Sequence, residues 1–307
     1  MKKWVKRIGF GALVLVLVIV FGTFTRFMFW RQQHNSELLA NSVLVDTPRG
    51  PIEYAELGQG TPMLLIHGTP GGYDQLRDII KATGKVGNGL RYIMPSRPGY
   101  LRTPLTVGAT PQEQAQAYAA LLTKLGVEKV LVAATSGGGP SGLQFALQYP
   151  DRCMALILIE TVSRQWAAPV ESVKASLLQD YLIWLFGRFQ VAKWQASNPA
   201  DRDISIIGQN GLNSIQPSEL RFAGEDNDLK QFSQMSDFPL NRIRCPTLIL
   251  HGTADVNVPI AQSEYAHAQI ANSELVTFPG EDHFMVITKR KELDKVIAKF
   301  VAKHATK

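Results

Sequence analysis

The sequence predicts an α/β fold. It has a mostly parallel, eight-stranded sheet with helices on both faces, a helical cap inserted late in the chain, and an N-terminal transmembrane helix. Three observations carry this. Short apolar runs rich in β-branched residues alternate with helical patterns, as parallel strands joined by crossover helices require. Polar residues gather just past the strand ends, where open α/β sheets bind their ligands. Between Thr161 and Ser236 the strand pattern vanishes, and three of the five tryptophans (Trp166, Trp184, Trp194) fall there.

At the N-terminus, eighteen residues from Ile8 to Thr25 carry no charge and follow Lys2, Lys3, Lys6 and Arg7. That run is long enough to cross a bilayer. It leads into Arg26-Phe-Met-Phe-Trp30-Arg31, an aromatic belt with basic anchors, which fits an uncleaved anchor better than a signal peptide. Cations are heavier before the run than after it. The expectation is therefore a single-pass protein of the inner or plasma membrane, with a cytoplasmic N-terminus and an exported domain. The expected division is an anchor (1–31), a polar connector (32–41), core (42–160), cap (161–236) and core again (237–307). The net charge of +6 belongs to the anchor: residues 1–35 hold six Lys/Arg and no acid, leaving 26 basic and 26 acidic residues beyond. A neutral domain gives no surface for nucleic acid, and Lys289-Arg-Lys291 reads as a solvated helix face. Cys153 and Cys245, the only cysteines, lack metal spacing. Each precedes an apolar strand, so buried thiols are expected, with a disulfide as the alternative.

The strands expected are 42–45, 52–56, 62–66, 91–94, 130–134, 155–159, 247–250 and 274–278. Helices are expected at 74–82, 111–125 (with Pro111 in its first turn), 143–149, 260–270 and 285–304. In the insertion, Tyr181-Leu-Ile-Trp-Leu-Phe186 is apolar on every side and must be covered.

The chain turns on residues 129–142, KVLVAATSGGGPSG. A buried strand breaks at Ser136 into glycines and then a helix, the pattern of a nucleophile elbow, with Ala134 in the first small position. The same stretch also spells G-x-G-x-x-G (Gly137, Gly139, Gly142), with Glu160 ending the next strand, which is the rival dinucleotide reading. A serine hydroxyl needs a base to take its proton and an acid to orient that base. His283, past the last strand, is the candidate base and Asp255, past the preceding one, the candidate acid, with Glu160 as fallback. This chain order matches the elbow architecture. His67 and His251 read as buried structural histidines and Ser141 as a local backbone partner. An oxyanion would be met by the N–H groups of Thr69 and Gly137.

HGTPGG at 67–72, SRPGY at 96–100, ATSGGGP at 134–140, HGTADVNVP at 251–259 and PGEDHF at 279–284 together resemble the α/β-hydrolase family, in particular its capped esterase, lipase and peptidase-like members. The resemblance covers about residues 42–304. It implies a serine hydrolase that forms an acyl-enzyme through Ser136, His283 and Asp255, with no metal or cofactor, and it sets aside the dinucleotide reading. Family members that open epoxides or remove halide use an aspartate where Ser136 stands. The expected substrate is a small or lipid-like ester held in an apolar pocket lined by Trp166, Tyr181, Trp184, Phe186, Phe189 and Trp194, with the Tyr181–Phe186 stretch facing the bilayer. The alternatives are a carbon–carbon hydrolase, a non-catalytic ligand-binding protein, and an aminopeptidase. The last would hold an amine on cap acids drawn from Glu171, Asp180, Glu219, Glu225, Asp226 and Asp228.

Overall fold

The computed structural model describes residues 2–168 and 174–305, with side chains from Phe10 onward. The strands are β1 (Val43–Thr47), β2 (Gly50–Gly58), β3 (Thr61–Ile66), β4 (Leu90–Pro95), β5 (Val130–Thr135), β6 (Cys153–Ile159), β7 (Thr247–Gly252) and β8 (Ser273–Phe278). They form one sheet in the order β1-β2-β4-β3-β5-β6-β7-β8. Only the β1–β2 and β2–β4 pairings are antiparallel. The central strands are apolar on both faces because both are covered. Val130, Val132, Ala134, Leu156 and Leu158 join one core layer, and Leu131, Ala133, Ala155 and Ile157 the other.

The first layer is roofed by α3 (Pro111–Lys124), α4 (Gly139–Gln148) and α8 (Ala261–Gln269), the second by α2 (Tyr73–Ala82) and α10 (Arg290–His304). At the start of α3, Thr110 and Glu113 form a reciprocal capping box ahead of Pro111, so the helix starts where the sequence marks it. The final helix differs from expectation. It breaks at Lys289 into α9 (Met285–Thr288) and α10. Of the basic run beside the break, Lys291 is exposed as expected, but Arg290 is not. Arg290 is buried and pairs with Asp201 and Asp203 of the insertion and with Asp294. It therefore fastens the helical insertion to the core.

Among the described residues, the chain between β6 and β7 holds only helices: α5 (Leu177–Ser197), α6 (Asp203–Asn213) and α7 (Phe222–Gln234). The N-terminal helix α1 (Lys2–Ala40) is longer than the apolar run and takes in the connector without a break. Its side chains are exposed from Phe10 to Gly22, then turn into the protein at Phe27, which is fully buried. The partners are Tyr181 and Trp184 of α5, whose rings lie 5.5 and 5.8 Å from that of Phe27. Further along, Arg31 pairs with Glu219, His34 contacts the carbonyl of Gln216, and Tyr73 Oη donates to the carbonyl of Leu38. Cys153 and Cys245 are buried free thiols with sulfurs 3.6 Å apart.

Emptying a fully buried phenylalanine site costs about 3–5 kcal/mol. Phe27→Ala is therefore expected to lower the melting temperature of the chain by several degrees. An unchanged melting temperature would mean that α1 is not docked on the cap.

Candidate active site

Ser136 sits on the tight turn between β5 and α4 with a positive φ of 51°, a strained conformation for a residue with a side chain. Close packing on both sides enforces it. A Cβ on Gly138 would lie 2.6 Å from the carbonyl oxygen of His67, so only glycine fits there. Ala134 can replace the usual first glycine because Gly142 yields the room: a Cβ on Gly142 would come within 2.8 Å of the Ala134 methyl. Ser141, one turn into α4, bonds back to the carbonyl of Gly138 at 3.0 Å, as the sequence suggested.

The structure brings the three separated polar residues together. His283 Nε2 lies 3.0 Å from Ser136 Oγ, and His283 Nδ1 lies 2.6 Å from Asp255 Oδ2. The other oxygen of Asp255 accepts from the backbone N–H groups of Asn257 and Val258, which fixes the carboxylate plane. Burial alone would raise the Asp255 carboxyl. Hydrogen bonds from His251 and His283, with the charge on His283, reverse this and hold it well below the usual carboxylate range. His251 is buried against Ser263 and the carbonyl of Val258. His67 is buried too: its Nδ1 faces the carbonyl of Gly68 and its Nε2 accepts from the N–H of Arg97. Burial and then Arg97 push the His67 pKa well down, so it is a neutral strut. His283, by contrast, keeps 17% of its side chain open to solvent.

Thr69 and Gly137 are neighbours across the serine. Gly68 would place a Cβ 3.0 Å from that of Ser136, and a side chain on Gly137 would run into Thr69 Oγ1. A buried network that the sequence did not announce holds this loop. Thr69 Oγ1 and Tyr100 Oη both donate to Asp228 of α7, each at 2.5 Å. Arg97 pairs with the same carboxylate and donates to the carbonyl of Gly137 at 2.8 Å. A second buried guanidinium, Arg221, joins Asp74 at 2.9 Å and the carbonyl of Gly71 at 2.7 Å. The cap thus grips the glycine loop through two ion pairs. Breaking a buried pair by removing one partner typically costs about 3–5 kcal/mol.

Of the aromatic residues expected to line a pocket, Trp194 packs beside His283 through Phe284, but most of the others go elsewhere. Tyr181 and Trp184 are taken by α1, where Phe24, Phe27 and Trp30, at the end of the expected anchor, supply their apolar partners. Phe186 and Phe189 lie on the outside, 54% and 58% exposed. Trp166 packs against the core layer that contains Phe232. Two aromatics beside the site were not among those expected to line it. Phe232 of α7 abuts Gly137, and Phe284 adjoins His283 while packing on Trp194. The acids named as amine holders are also largely engaged. Asp228 pairs with Arg97, Asp180 accepts from the N–H of Ser218 at 3.2 Å, and Glu219 pairs with Arg31. Glu171 lies outside the described residues.

Glu160, the fallback acid, does lie beside the site, but Asp255 rather than Glu160 holds His283. Because β6 lies between β5 and β7, the residue ending β6 falls between Ser136 and Asp255. Glu160, at a positive φ of 52°, has a ligating oxygen within 4.8 Å of both Asp255 and His283. Burial, then the charge of Asp255, push its pKa up to about 9, so it stays neutral at pH 7. An unfolded chain releases this proton near pH 4.3. Between those values the unfolded state binds fewer protons than the folded one, and stability falls as pH rises. Glu160→Gln, which mimics the neutral acid, is expected to raise the melting temperature at pH 8 and to lose that advantage toward pH 4. An identical pH dependence in both proteins would contradict a buried neutral acid.

The α/β-hydrolase fold model matches residues 61–290. A Bacillus subtilis (strain 168) protein described as an uncharacterized hydrolase, YcgS, is 29% identical over 260 residues, covering 78% of this chain and 90% of that protein. Among solved structures, an α/β-hydrolase fold protein from Nakamurella multipartita is 32% identical with a TM-score of 0.75, covering 84% of this chain and 98% of that one. A thermophilic esterase from Thermogutta terrifontis shares the fold at 24% identity and a TM-score of 0.63, covering 86% and 99%. With the sheet order, the strained serine turn and these likenesses in agreement, the chain belongs to the α/β-hydrolase family.

Proposed function

We propose that this chain is a membrane-anchored serine hydrolase that cleaves carboxylic esters, with its catalytic domain on the far side of the membrane from the cytoplasm. The observation that carries the reading is the continuous hydrogen-bonded line from Asp255 through both nitrogens of His283 to Ser136. His283 takes the hydroxyl proton as Ser136 attacks the ester carbonyl, and Asp255 holds the ring and stabilises the imidazolium. The backbone N–H groups of Gly137 and Thr69 meet the oxyanion. His283 then protonates the leaving alcohol and assists water in releasing the acid. Engagement of Asp180, Glu219 and Asp228 in structural contacts favours an ester over a substrate with a free amine.

The membrane part of the reading rests on α1. From Phe10 to Ala40 it is long and apolar enough to cross a bilayer, and its most apolar window has a mean hydropathy of 2.3 with 6% of its residues buried in the protein. The excess of cations ahead of the apolar run, Lys2, Lys3, Lys6 and Arg7, supports a cytoplasmic N-terminus.

A fluorophosphonate probe tests the chemistry. The wild type is expected to be labelled and Ser136→Ala not, with kcat on short p-nitrophenyl esters falling by about 10⁶. Asp255→Asn is expected to cost about 10⁴ in kcat by stranding the histidine in the wrong tautomer. Labelling that survives Ser136→Ala would overturn the assignment. A panel of esters of increasing chain length, aminoacyl amides and vinylogous diketones then separates esterase from peptidase and carbon–carbon hydrolase.

A further inference from the structure

The apolar face that α5 leaves uncovered has a place in this arrangement. The side chains of α1 are exposed along the apolar run, as at Leu15 (60%) and Phe21 (74%), and become buried at Phe27. The change falls at Thr23–Thr25, where α5 joins: Thr23 Oγ1 and Tyr181 Oη are 2.5 Å apart, and Phe24 meets Tyr181 edge-on at 5.4 Å. Contacts then advance together, from Thr23 with Tyr181 to Trp30 with Trp184. Residues of α5 that precede Tyr181 therefore lie on the side of the apolar run. Those residues are Leu177 and Leu178, 41% and 63% exposed, and one turn on is Leu182 at 42%. Leu178 and Leu182 also border a shallow apolar groove of about 670 Å³ against Leu212 and Ile215 of the neighbouring segment. Arg26 is exposed on α1 next to this junction, and Lys174 is exposed three residues ahead of α5, cations suited to lipid phosphates.

We propose that the first turns of α5 are a second membrane contact, with Leu178 and Leu182 entering the leaflet from which α1 emerges and the groove receiving acyl chains of that leaflet. This rests on the reading of α1 as a membrane span. Twelve residues beyond Leu182, about 18 Å of helix, Trp194 packs on Phe284 beside His283. One helix then joins the lipid contact to the rim of the site and holds the catalytic domain close to the bilayer.

The test uses the full chain in nanodiscs of phosphatidylcholine and phosphatidylglycerol, with Cys153 and Cys245 replaced by alanine. An environment-sensitive fluorophore is placed singly by Leu178→Cys, Leu182→Cys, Val14→Cys in the apolar run, and Val86→Cys as an exposed reference (49% exposed). Spin-labelled lipid is expected to quench the probes at 178, 182 and 14 several-fold more than the probe at 86. Quenching at 14 without quenching at 178 and 182 overturns the α5 contact and leaves the span intact. No quenching at 14 overturns the span, and the contact with it. Blue-shifted emission at 178 and 182 without lipid quenching means that protein, such as a second copy of this chain, covers the face, which also overturns the proposal.

Discussion

The hydrogen bond between His283 and Ser136 joins parts of the chain 147 residues apart, and the fold is arranged so that it can form. Parallel strands that end on the same edge deliver Ser136, Asp255 and His283 to one rim, but they lie one or two strands apart there. Loops close the gap: Asp255 is pinned by two backbone N–H groups of its own turn, and His283 reaches from the loop past β8. The serine supplies the remaining distance through its positive φ, which lifts the hydroxyl off the strand. That strain persists because the loop after β3 and the start of α4 press on the turn from both sides.

The cap contributes rigidity as well as cover. Asp228 and Arg221 come from the helical insertion, yet their partners Arg97, Thr69, Asp74 and Gly71 belong to the core around the glycine loop. Buried charge is costly unless paired, so these contacts define one seating of cap on core. Arg290 adds a third fastening from the opposite end of the chain. Because α1 also docks on α5, the apolar N-terminal helix, the cap and the site form a connected body rather than a domain on a loose tether.

Much of this was legible in the sequence. The two-faced apolar strands, the proline opening α3 and the small residues around Ser136 are local signals, written in a few adjacent positions. The spacing of serine, aspartate and histidine was also legible, because the architecture fixes which loops can meet. What was not legible depends on partners distant in the chain. Tyr181 and Trp184 announce that something must cover them, but an apolar face does not name its partner, and the helix that covers them lies more than 150 residues earlier. Arg290 reads like any surface cation beside two lysines; only the cap folding back onto α10 buries it. Glu160 reads as a polar residue ending a strand, and only the strand order places it under Asp255.

The central claim is that Ser136 carries the acyl group in a covalent intermediate. Rapid-quench mass spectrometry on the full chain mixed with a short p-nitrophenyl ester tests it most directly. The expected result is a transient gain of one acyl mass on the peptide containing Ser136, formed with the burst of p-nitrophenol. Turnover with no adduct, or an adduct on any other residue, would contradict the account.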